Sequence, residues 1–277
     1  MLEAFRLPFM QYALIATSLI AALCSLLGVY IVLKRIVFVS AVLAQVSTAG
    51  LGLAFLVGLH PTVTALLLTL VAVVMFARTS FRGKIPQDSV LGISYVTAFA
   101  FGILFIARAA QGMEELQHLL QGNILTISPQ QIYLLAGTAV VVGLIHYLFY
   151  KEFLFVSFDA EMAQTQGYNV KAWNFLLYFT VGLVIALGIR VAGVLLIFAF
   201  LVMPAAIALL LLRRMRGIFA MAIVIGLIAV FLGLYFSFDL DLPSGPTIVT
   251  VLFIFLLMAL AFKMIKKMKS TNHAGFN

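Results

Sequence analysis

Lys151-Glu-Phe-Leu-Phe-Val-Ser-Phe-Asp-Ala-Glu-Met-Ala-Gln-Thr-Gln-Gly-Tyr-Asn-Val-Lys-Ala-Trp-Asn174 interrupts two long apolar runs with two basic residues, three acidic ones and several amides. Its centre, Phe158 to Gly167, reads as a short helix. Asp159 can cap the N-terminus, and Glu161 suits the positive end of the helix dipole. Gly167 can take the left-handed conformation that ends a helix. Two turns of helix are marginal alone in water, so the segment is expected to pack against something.

What surrounds it is apolar. The chain has 277 residues, of which 65% are hydrophobic and 9% charged, with a mean hydropathy of +1.21. A soluble domain carries about 25% charged residues. A chain this short cannot hide so much apolar surface from water, so an all-α, polytopic membrane protein is predicted, with residues 1–277 forming one membrane domain. The formal charge of +8 would suggest nucleic acid in a soluble protein. Here it is better explained by topology, because basic residues collect in cytoplasmic loops; no nucleic-acid partner is expected. Cys24 is the single cysteine, which excludes a disulfide framework and a thiol metal cluster. The N-terminus shows no cleavable signal pattern.

About 20 apolar residues cross the hydrocarbon as a helix. Nine stretches qualify: Phe9–Leu33, Val37–Val57, Pro61–Ala77, Ser89–Ala107, Gln130–Tyr150, Phe175–Gly188, Val191–Leu212, Gly217–Ser237 and Pro246–Phe262. The sixth is short and Arg190 separates it from the seventh, so the two could form a bent hairpin or one broken helix, giving eight or nine crossings. With the N-terminus outside, fourteen of the seventeen lysines and arginines fall in inner loops, and Arg6, Arg108 and Arg190 fall outside. This bias predicts a cytoplasmic C-terminal tail over 263–277 and a cytoplasmic Lys151–Asn174. The polar segment is then either a solvated loop, a helix lying on the headgroups, or a docking helix by which a soluble partner moves the membrane part.

Two outer loops carry acidic or imidazole groups. One holds Glu114, Glu115 and His118; the other, Ser237 to Pro246, holds Asp239 and Asp241. Both are read either as ordinary solvated connections or as contacts for a binding protein, or for first capture of a divalent cation. Within the spans charge is nearly absent, and Gln45, Ser47, Thr48 and His146 are almost the only polar groups of note. An ion-driven carrier usually needs buried carboxylates, so energy is expected to enter mechanically from elsewhere. His146, near the inner end of its span, reads as a packing or interfacial histidine. Gly50, Gly52, Gly182, Gly188, Gly193, Gly226 and Gly233 permit close helix approach. Pro204 is expected to bend or break its helix, as at some transport paths.

Four stretches in order resemble the permease subunit of the ABC-3 family of metal-uptake transporters: Leu27 to Ser47, His118 to Ser128, Phe158 to Gly167 with Gly193 to Ala206, and Asp241 to Thr247. The resemblance covers nearly the whole chain. It implies a bacterial inner-membrane permease that forms a homodimer and pairs with two cytoplasmic ATP-binding subunits. Its cargo would come from an extracytoplasmic solute-binding protein. This chain would then be no enzyme and bind no cofactor, ATP being used by the partner. The family's ATPase-coupling region falls on Phe158, Asp159, Glu161, Met162, Gln166 and Gly167. Cargo of the divalent-metal class is implied, zinc first, with manganese or iron next. One departure bears on the path. Where the family has an Asp and a His after the basic pair, this chain has Ala41 and Gln45, and a neutral amide is a poor ligand for zinc. The metal ligands are therefore not legible, and a metal chelate is an alternative cargo. Ala41, Gln45, Ser47, Thr48 and Pro204 remain the candidates for lining the path, against plain interhelical hydrogen bonding. Two other classes compete: an ATP-independent channel or carrier, and a scaffold with no transport. The channel or carrier would not need Phe158–Gly167, and a neighbouring ATPase and binding-protein reading frame would favour the ABC permease.

Overall fold

The computed structural model describes residues 8–78, 87–109 and 127–274, and among them every regular element is a helix. In chain order these are α1 (Pro8–Leu33), α2 (Val37–Val57), α3 (Pro61–Arg78), α4 (Gln87–Arg108), α5 (Pro129–Leu148), α6 (Tyr150–Phe158), α7 (Ala160–Thr165), α8 (Val170–Leu211), α9 (Met215–Asp239) and α10 (Ser244–Ala274). Seven are long and apolar enough to cross a bilayer, and α3 is a shorter apolar helix. In lipid only helices satisfy every backbone group within one segment, so an all-helical body follows from the composition.

The predicted sixth and seventh spans both lie in α8, which runs for 42 residues with one non-helical residue, Gly193, at φ 78°, ψ 162°. Three sets of contacts show that the chain reverses there. Arg190 reaches Thr62 at the start of α3, while Gly182 lies against Thr69 and Val73 further along α3. Past the glycine, Leu201 meets Gly28, and Ala205 and Ala208 join Val29 near the end of α1. A methyl on Gly188 would fall 2.6 Å from Ile197 Cδ1, whereas nine residues of straight helix would separate the pair by about 13.5 Å. The region is therefore a helical hairpin, and counting its two arms gives nine apolar crossings among the described residues. Only glycine readily adopts Gly193's backbone angles.

Pro204 is a correction in the other direction. It was expected to bend or break its helix, yet the arm continues through it with helical angles, and the break falls eleven residues earlier at Gly193. The proline removes one backbone hydrogen bond, which its buried surroundings tolerate. At Gly28 a methyl would land on the backbone carbonyl of Leu201, so the missing side chain lets α1 and the second arm of α8 approach to backbone contact. Without a hydrophobic drive between helices in lipid, such close van der Waals packing is what holds the bundle.

The middle of the bundle is α1, α2 and α8, whose spans are the most covered, while α4, α5 and α10 lie outermost. The turn after α1, the end of α5, both ends of α8 and the start of α9 meet at one end, together with α6 and α7; this is called the α7 end. Antiparallel packing of Gly233 against Ile248 returns α10 to that same end. Arg108 and Arg190 lie at the opposite end.

Candidate functional site

The polar segment folds differently from the single short helix expected over Phe158–Gly167. Phe158 closes α6, Asp159 is an extended residue at φ −146°, ψ 94°, and α7 proper is only Ala160–Thr165. Both ends of α7 are capped. Asp159 Oδ1 accepts from the Met162 amide at 2.8 Å, as the sequence predicts. At the other end the Gly167 amide donates to Gln164 O at 3.1 Å and the Tyr168 amide to Ala163 O at 3.0 Å. With Gly167 at φ 86°, this is the paired-bond glycine cap that satisfies orphan carbonyls. Six residues cannot hold a helix by propensity alone; the caps and one buried face, Ala163, do so. The outer surface is exposed and apolar: Phe158 is 58% and Met162 53% accessible. Glu161 and Gln166 are exposed beside them.

α6 ties this knob to the membrane body. Phe153 is 1% accessible and stacks on His146 of α5 at 4.2 Å between ring centroids. The same ring meets Trp173 of α8 at 5.2 Å and Tyr30 of α1 at 5.7 Å. Aromatic pairs add roughly 0.5–1.5 kcal/mol each beyond their burial, so one side chain binds α6 to three spans. His146 is a packing histidine, as read from the sequence: it is buried, and its Nε2 hydrogen-bonds Thr180 Oγ1 at 3.0 Å. Beyond the rings, Phe155 meets Tyr168 edge-on at 5.5 Å.

A further tie has no sequence signal. Lys34, in the turn after α1, donates from Nζ to the Val156 carbonyl at 3.0 Å, across 122 residues. Val156 lies in the last turn of α6, where carbonyls lack intrahelical partners and a cation complements the dipole. Burial lowers the Lys34 pKa to about 8. This bond joins α6 to the α1–α2 junction, and α2 carries the candidate path residues.

On α2, Ala41 is half-buried, and Gln45, Ser47 and Thr48 are buried. Ala41 and Gln45, four apart, share one face. Gln45 Nε2 lies 3.4 Å from Tyr95 Oη on α4, a partner the sequence reading missed; a tyrosine one residue from Ser94 in an apolar span was the available signal. Thr48 instead bonds its own helix at Ala44 O, 3.0 Å, and Ser47 Oγ has no hydrogen-bond partner among the described residues. A cavity of about 530 Å³ opens between α2, α3 and α4, lined by Val46, Ala49, Ser94 and Phe101 among others, but by neither Gln45 nor Tyr95. Pro204 is buried in α8. Asp239 ends α9 and Asp241, at φ 52°, lies in the following turn, exposed at the end opposite α7. Glu114, Glu115 and His118 lie outside the described residues. Among the described residues no three His, Cys, Asp or Glu come together as a metal site.

The match to known proteins extends over this whole framework. The model of the "ABC 3 transport family" matches residues 6–263. The chain belongs to that family. A manganese transport system membrane protein, MntC, from Halalkalibacterium halodurans is 31% identical over 88% of this chain and 83% of its own. A chelated iron transport system membrane protein, YfeD, from Yersinia pestis is 30% identical over 98% of this chain and 91% of its own. Among solved structures, PsaBC from Streptococcus pneumoniae in complex with Fab superposes with a TM-score of 0.83 and 26% identity, covering 92% of both chains. As an ABC 3 member, the chain is a multi-pass transport subunit of the membrane.

Proposed function

We propose that this chain is the permease of an ATP-driven importer for a divalent transition metal, working as a pair in the bacterial cytoplasmic membrane. ATP is bound and hydrolysed by separate cytoplasmic subunits that dock on α7, and cargo arrives from an extracytoplasmic binding protein at the Asp239–Asp241 end. The observation that carries this reading is the double-capped α7, with Phe158 and Met162 exposed on a segment bound through Phe153 and Lys34 to the spans. A solvated connection needs neither the caps nor the ties. The charge bias supports placing the α7 end, and with it the C-terminus, in the cytoplasm.

Pairing with a second copy is favoured by the outer face of α4, where Ile93 and Phe101 are exposed beside the cavity between α2, α3 and α4. A second molecule seated there would cover that apolar face. The donors on offer are an amide, a phenol and hydroxyls, which suit manganese or iron better than zinc. The names of the relatives point the same way, so manganese is placed ahead of the zinc expected from the sequence, and a metal chelate remains the second cargo reading.

The test is uptake into proteoliposomes holding the chain with its ATP-binding subunits. Phe158→Asp combined with Met162→Asp should leave the chain inserted and abolish ATP-driven manganese uptake. Uptake at the wild-type rate by that variant, or by the chain with no ATPase present, would sink the proposal.

A further inference from the structure

At the α7 end a second cavity, of about 850 Å³, opens between α1, α5, α6 and α9. It plays no part in the path on α2 or in the docking surface of α7. Its deeper wall is apolar and aromatic, with Leu26, Tyr30 and Phe219. Its rim is charged, with Lys151, Glu152 and Arg216. From the rim to Leu26 the wall descends roughly two helical turns, about 10 Å along the bundle.

The charges at the rim are of both signs, and one is unsatisfied. Glu152 Oε2 is shielded from solvent and has no hydrogen-bond partner among the described residues. A carboxylate oxygen taken out of water without a donor costs free energy, so this site favours a ligand that brings a donor. Lys151 and Arg216 are exposed cations, and interhelical basic pockets take lipid phosphates. Tyr147, at 81% accessible, stands at the mouth, in the interfacial position that aromatic residues favour.

We propose that this cavity holds one phospholipid whose headgroup carries both a phosphate and a primary ammonium, of the phosphatidylethanolamine class. The phosphate lies between Lys151 and Arg216, the ammonium donates to Glu152, and an acyl chain lies along Tyr30 and Phe219. A headgroup with phosphate alone leaves Glu152 unpaired. A quaternary ammonium has no N–H to donate. Because Lys151 and Glu152 belong to α6, the bound lipid is a wedge behind the segment that carries α7.

The test uses the full chain purified in detergent and native mass spectrometry after titration with phosphatidylethanolamine, phosphatidylglycerol and phosphatidylcholine. The expected result is one retained phosphatidylethanolamine per chain, held about tenfold more tightly than the other two, the discrimination of one charge-assisted hydrogen bond. Glu152→Gln should erase that preference, and Arg216→Gln should weaken retention of all three lipids. Gly143 lines the cavity, and a Cβ there meets nothing within 4 Å, so Gly143→Phe should fill the space and displace the lipid from a folded chain. Equal retention of the three lipids by the wild type, a preference for phosphatidylglycerol, or full retention by Gly143→Phe would overturn the proposal. None of these outcomes depends on whether the chain transports metal.

Discussion

Replacing Gly167 by alanine isolates the backbone contribution to the stability of α7. A Cβ at this position meets nothing within 4 Å, so no clash is introduced. What changes is the cost of holding φ near 86°, roughly 1–2 kcal/mol for an L-residue. That penalty falls on the opening of α7, because the Gly167 and Tyr168 amides hydrogen-bond back to Gln164 and Ala163. One or two kcal/mol raises the open fraction by a factor of about 5–30. Hydrogen exchange reads that fraction. The Gly167→Ala chain should exchange the amides of residues 162–168 about 5–30 times faster than wild type, with α8 beyond Phe175 unchanged. Gly167→Asn should fall between, since asparagine tolerates the left-handed region, and Gly167→Val should exceed alanine. Wild-type exchange in the alanine variant, or equal rates for asparagine and valine, would refute the account of how α7 is held.

Three further expectations follow from the contacts. Lys34 has a pKa lowered by burial to about 8, so the folded chain gives up this proton at a lower pH than the unfolded chain does. Its contribution to stability should rise as pH increases from about 8 to the free-lysine range near 10.4 and stay level below 8, where both states hold the proton; the melting-temperature difference between wild type and Lys34→Met should show that slope, and a flat difference across about 8 to 10 would contradict it. Gly28→Ala drives a methyl into the Leu201 carbonyl and should cost about 1–3 kcal/mol of overpacking, read as a drop of several degrees in thermal melting, while Gly137→Ala, which meets nothing within 4 Å, should melt like wild type. Ala41→Asp with Gln45→His places a carboxylate and an imidazole one turn apart on α2 and should raise manganese or zinc retained per chain at least tenfold by elemental analysis; unchanged retention would remove these two positions from the path.

The spans were legible because a bilayer reads composition directly: α2 begins and ends at the predicted Val37 and Val57, bounded by the basic pair and by Gly58. The Asp159 cap was legible for the same local reason. Long-range geometry was not. Two residues, Gly193 and Pro204, each carried a helix-breaking signal, and nothing in the local sequence says that the glycine turns the chain while the proline lies quietly in a continuous arm. The tie from Lys34 to Val156 joins a turn to a helix end 122 residues on, a separation across which no periodicity operates. Tyr95 was missed because its importance comes only from the α2–α4 packing that brings Gln45 to it.

The ring of Phe153 also bears on how such a machine could fail. Because that ring touches α1, α5 and α8 at once, α6 has little slack against the spans: under the proposed docking on α7, a stroke delivered there would be shared among three columns instead of dissipating in a floppy linker. A bundle wired this way trades tolerance for transmission, and damage at a single aromatic side chain would leave a well-inserted protein that no longer hears its motor.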